Sequence, residues 1–183
     1  MKVGGIYSFN HAQNVIDARN AEELSEIFAV IEAINVSMYR RMVAQEFGST
    51  PFKKAFEHEF IAKGWQANVQ VQCDYPTDFY TSDYSPPTSS QITYREMDFV
   101  KNRLGVGVQF VNYSSMVYNV CAKMTIFHNE GFIDAGVEIV PLKELASDMS
   151  SGVSYFEQFV WDLEHRGVSD IDIPVLILGL AAG

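Results

Sequence analysis

The second half of the chain alternates two hydrophobic periods, and that alternation leaves few ways to fold it. Leu104 to Phe110 reads as a strand, and Ser114 to His128 as a helix with Val117, Val120, Cys121 and Met124 on one face. Ala135 to Val140 is a second strand, halted by Pro141, and Tyr155 to Arg166 a second helix ending at Gly167. Pro174 to Leu178 closes the series as a short, wholly apolar strand. Strands of this kind need cover on both sides, so the order predicts an α/β fold with a mixed sheet flanked by helices.

The first half supplies further helices. Asn20 followed by Glu23 has the spacing of a capping box, and Leu24, Ile27, Phe28, Ile31 and Ile34 then repeat at helical period. Phe52, Phe56 and Phe60 step by one turn through a second helix, read as a core stripe, which stops at Gly64. Val69 to Cys73 alternates as a strand, and Asp74 to Ser90, with Pro76, Pro86 and Pro87, reads as a long loop. A chain of 183 residues suits one buried core, so residues 1–183 are expected to form a single domain.

Composition sets outer bounds. Apolar residues are 48% and charged residues 20%, which fits a folded, soluble protein. No apolar run has the roughly 18 residues of a membrane span, and the first residues lack a secretory apolar region, so no membrane partner is expected. Cys73 and Cys121 are far apart and are read as reduced thiols, which points to the cytoplasm. Thirteen basic against twenty-three acidic residues give a net charge of −10, a field that opposes a phosphate backbone. A local basic face around Arg40, Arg41, Lys53 and Lys54 is compatible with that total.

The segment from Asp98 to Phe110 carries the candidate chemistry. An acid stands at one end, and residues 107 and 109 of the following strand share a face because side chains alternate. Phosphodiester hydrolysis with Mg²⁺ suits this layout, with a carboxylate and carbonyl for the cation and a polar side chain for the attacking water. His11, His58, His128 and His165 fall in separate elements without ligand spacing. No Ser-His-Asp or Cys-His pairing can be argued, and Gly105 and Gly107 straddle a strand and open no phosphate loop.

Asp98 to Phe110, Asn112-Tyr-Ser-Ser115, Gly136-Val-Glu-Ile-Val-Pro141, Met149-Ser-Ser-Gly152, Tyr155-Phe-Glu157 and Val175-Leu-Ile-Leu-Gly179 follow one another in the chain. Together they resemble the BglII/BstYI family of type II restriction endonucleases, and Phe60-Ile-Ala-Lys-Gly-Trp65 extends the likeness into the first half. The resemblance implies a PD-(D/E)XK nuclease core, a homodimer on a palindromic site in double-stranded DNA, and Mg²⁺-dependent cleavage. Asp98 then matches the family's metal-binding aspartate, the Val108 carbonyl a further metal ligand, and Gln109 the glutamine that stands for the usual lysine. The family's glutamate falls on Gly107, which removes a carboxylate. Glu96, two residues before Asp98, is a possible substitute ligand. Glu138 is a position the family keeps beside its glutamate, which argues against its being a replacement. Asn112 stands for an expected lysine and Asn119 for an acid. The resemblance makes Asn112, Ser150 and Ser151 candidate DNA contacts, and Met149 to Gly152 also has the character of a helix N-cap before Tyr155. Two functions follow: site-specific Mg²⁺-dependent cleavage in restriction-modification, or a catalytically inactive relative that binds DNA or protein.

Overall fold

The apolar runs of the second half lie side by side in the middle of a six-stranded sheet. The computed structural model describes residues 1–35, 50–73, 80–84, 93–110, 112–149, 152–165 and 173–183. In chain order the strands are β1 (Lys2–Phe9), β2 (Gln66–Cys73), β3 (Thr93–Lys101), β4 (Leu104–Val108), β5 (Ala135–Pro141) and β6 (Val175–Ala181). They are arranged β1-β6-β5-β4-β3-β2. The neighbours β4, β5 and β6 run parallel, whereas β1, β3 and β2 add antiparallel strands on either side. This is the mixed sheet that the alternation predicts.

Two cores form because side chains alternate across the central strands. Leu104, Val106 and Val108, with Ala135, Val137 and Ile139, face a core that also holds Ile16, Ile27 and the Phe52/Phe56/Phe60 stripe. Those residues come from α1 (Ala12–Arg19), α2 (Ala21–Ala33) and α3 (Thr50–Ala62). The opposite core joins Val140, Val175 and Ile177 to Met116, Val120 and Met124 and to Phe159 and Leu163. Those come from α4, a helix with α-helical ends (Tyr113–Tyr118, Met124–Asn129) and a π-helical centre (Asn119–Lys123), and from α6 (Phe156–His165). A short α5 (Lys143–Ser147) follows β5.

The structure departs from the sequence reading at several points. Asn20 precedes α2 but caps nothing with its side chain; its amide donates instead to the Asn102 carbonyl at 3.0 Å and to Glu23 at 3.5 Å. Tertiary partners for Asn20 and Glu23 displace the capping box. Asp98 does not precede a strand but lies within β3, which turns into β4 through Asn102 and Arg103, both left-handed (φ 45° and 64°). Positive φ at both central residues is what a tight two-residue hairpin requires. β1 and α1 carry no hydrophobic period strong enough to read from sequence. Most of the Asp74–Ser90 loop, together with Arg40, Arg41 and Arg166–Gly167, lies outside the described residues.

Candidate active site

Asp98 owes its position to a change of face in β2 and β3. Ala67 packs with the first core and Val69 with the second, and between them Asn68 is left-handed at φ 54°. Across the ladder, Phe99 belongs to the first core and Met97 to the second. Residues two apart normally share a face, so β3 rotates at Asp98. The β3–β4 ladder ends at the pair Phe99–Val106, and the Asp98 carboxylate takes over from it: Oδ2 accepts the Val108 N–H at 2.9 Å. Backbone N–H and C=O of an extended residue point the same way. The Val108 carbonyl is therefore directed toward Asp98.

The other oxygen of Asp98 meets a cation. Lys53 Nζ, from α3, lies 3.0 Å from Asp98 Oδ1 and 4.0 Å from Glu96 Oε1. Asp98 is nearly buried, with 7% of its side chain exposed, whereas Lys53 retains 46%. Partial burial alone would lower the Lys53 ammonium, but the Asp98 carboxylate and the charges of Glu96 and Glu57 outweigh it and raise its pKa. Glu96 also accepts from Gln70 Nε2 at 3.3 Å.

Gly107 is not an open gap. The parallel register of β4 and β5 sets it beside Glu138, and a β-carbon at position 107 would stand only 2.1 Å from Glu138 Oε2. Glu138 is fully buried. Its Oε1 accepts from Asn119 Nδ2 at 3.3 Å, and its Oε2 has no hydrogen-bond partner among the described residues. Burial pushes this carboxyl up to about 8, opposed by the Lys123 charge, reinforced by Asp98 and opposed again by the Asn119 hydrogen bond. Asn119 and buried Lys123 open and close the π-helical turn of α4, which presents both to β5. π-turns are frequent at functional sites.

The comparisons with known proteins bear on this arrangement. The family described as "Restriction endonuclease BglII/BglIII" matches residues 5–180. The chain belongs to the BglII/BglIII restriction endonuclease family. Among solved structures, the crystal structure of restriction endonuclease BglII complexed with a DNA 16-mer is similar with a TM-score of 0.70. The two are 20% identical over 99% of this chain and 78% of that one, a likeness that carries the restriction-endonuclease-like fold. No curated protein sequence matches.

Within this BglII-family fold the predicted site residues have different fates. Asp98 and the Val108 backbone meet directly, and Gln109, half-buried, follows at the end of β4, where its N–H donates to the Ile139 carbonyl at 2.9 Å. Glu96 shares Lys53 with Asp98. Asn112 precedes α4, and its side-chain oxygen accepts from Ser115 N at 3.1 Å and Ser114 Oγ at 2.7 Å, which commits that oxygen to capping the helix. Ser150 and Ser151 lie outside the described residues. Sequence reasoning named Lys53 only as part of a basic face, not as a partner of Asp98, and missed Lys123. Lys53 is simply the residue after a core phenylalanine, and Lys123 gives no signal in a helix read as regular.

Proposed function

We propose that this chain is a type II restriction endonuclease that acts as a homodimer, cleaving double-stranded DNA at a specific site with Mg²⁺. The observation that carries the reading is Asp98, a buried acid fixed by the Val108 N–H at the point where two strands of a BglII-family sheet separate.

The residues present fit the cation that this family implies. A hard divalent ion takes oxygen ligands. Asp98 Oδ1, the Val108 carbonyl and Oε2 of Glu138, which has no hydrogen-bond partner among the described residues, are the oxygens that would hold it. Bound there, Mg²⁺ would supply Lewis-acid polarisation of the scissile phosphate and offset its charge. Asp98 would stay oriented through the Val108 N–H while its second oxygen is released by Lys53, whose half-exposed side chain can swing toward a phosphate. The Gln109 amide can orient an attacking water by hydrogen bonding but cannot accept its proton, so proton removal falls to solvent or the phosphate itself.

A second reading rests on the same ion pair. Lys53 already places a positive charge on Asp98, which suits a relative that kept the fold, lost hydrolysis and serves as a DNA-binding or protein-interaction module. Digestion of several unrelated bacterial DNAs with Mg²⁺ or Mn²⁺ separates the two. Discrete fragments that vanish in Asp98→Ala support the nuclease. Intact DNA under both ions, with the protein folded, supports the module.

A further inference from the structure

We propose that Glu138 supplies, from β5, the metal-binding carboxylate that β4 lacks at Gly107. This deepens the nuclease reading and rests on the assignment of the Asp98 centre as a divalent-cation site.

The argument begins with register. Gly107 and Glu138 are direct partners in the parallel β4–β5 ladder. The flanking residues Val106 and Val108, and Val137 and Ile139, all enter the first core. Gly107 and Glu138 therefore project from the opposite face, side by side. A side chain from either strand would reach the same volume.

Occupancy is the second step. A β-carbon at 107 would lie 2.1 Å from Glu138 Oε2, 3.1 Å from Cδ and 3.5 Å from Oε1. The carboxylate thus rests over the glycine, in the space where a residue 107 side chain would begin. A glutamate at 107, which the family resemblance places beside the one at 138, would exclude Glu138 from this volume; glycine leaves it open, which answers the objection to Glu138 as a replacement. Glycine at 107 is then the complement of the Glu138 position.

The third step is the orphan oxygen. Asn119 holds Oε1, whereas Oε2 is buried without a donor among the described residues. An unmet buried acceptor costs about 1–3 kcal/mol, more when charged, so such atoms call for a specific reason. Lys123 acts on Glu138 through its charge but donates no hydrogen bond to it among the described contacts. A cation between Asp98 and Glu138 would satisfy the orphan: Asp98 holds the N–H of Val108 and Glu138 rests over Gly107, the residue before it, so the two acids abut the same peptide of β4.

Mn²⁺ binding to the DNA-free protein, followed by electron paramagnetic resonance up to millimolar ion, tests the assignment without reference to cleavage. Wild-type protein should bind, and Asp98→Asn and Glu138→Gln should each weaken binding about tenfold or more, the scale seen even for outer-shell partners. Gly107→Glu combined with Glu138→Ala, which empties the shared volume, returns a carboxylate to it and should recover affinity over Glu138→Ala alone. If Glu138→Gln does not fold, Glu138→Asp, which withdraws the carboxylate by one methylene, replaces it in the comparison. Loss in Asp98→Asn with wild-type binding in the Glu138 variant overturns the inference and leaves the metal-dependent nuclease standing. A double variant no better than Glu138→Ala overturns the claim of a shared position. No binding by the wild-type protein overturns both readings together.

Discussion

Lys53 Nζ and Asp98 Oδ1 form an ion pair at 3.0 Å between a half-exposed lysine side chain and a nearly buried aspartate. The pair ties α3 to the centre of the site and holds a positive charge where the cation reading needs one. Lys53→Met should therefore act in two directions. Without metal, the variant should lose about 1 kcal/mol of stability, discounted from the charged hydrogen-bond range because Lys53 is partly solvated. Its Mn²⁺ affinity should rise, since a competing cation is gone. Denaturant unfolding and metal titration check the two halves separately, and unchanged affinity would show that Lys53 does not compete.

The pH dependence of metal-free stability should carry the signature of Glu138. Its carboxyl is raised from the ordinary 4.5 to about 8. Across that window the folded protein keeps a proton that the unfolded chain has released, so stability is fullest below it, falls as pH rises and levels off above it. Glu138→Gln should flatten this slope and be more stable than the parent above pH 8. Thermal melts in chelator across the range measure it, and parallel profiles for the two proteins would contradict the burial of an ionisable Glu138.

Restoring an acid at position 107 will not be a simple gain. The Glu138 carboxylate already fills the space, so Gly107→Glu would force two carboxylates into one buried volume. Even Gly107→Ala should cost about 1–3 kcal/mol, as overpacking does. In a Glu138→Ala background the same change should cost much less. A double-mutant cycle from urea unfolding gives the coupling, and additive effects would mean that the two positions do not contest the volume.

Binding to DNA should be weak without metal and steeply dependent on salt. Phosphate contacts dominate such affinity, and a chain of net charge −10 presents few spare cations. Fluorescence anisotropy with duplex DNA in chelator should give a dissociation constant no tighter than about micromolar at physiological salt, the non-specific range. Nanomolar binding under those conditions would show that the basic residues converge on one cleft.

Much of the fold is set by local sequence. The apolar strands at 104–108, 135–141 and 175–181 and the Phe52/Phe56/Phe60 helix follow from hydrophobic period, because burial on two faces or one leaves a pattern in the chain itself. Asp98, Val108 and Gln109 were nameable for the same reason, being close in sequence and resembling a known segment. What the chain alone did not reveal depends on pairing between distant segments. The turn of β3 at Asp98 answers a left-handed Asn68 on another strand, and Lys53 reaches Asp98 only because α3 packs across the sheet. Gly107 read as a loss when taken along its own strand. Register placed Glu138 over it, and register is a property of two strands that neither encodes alone.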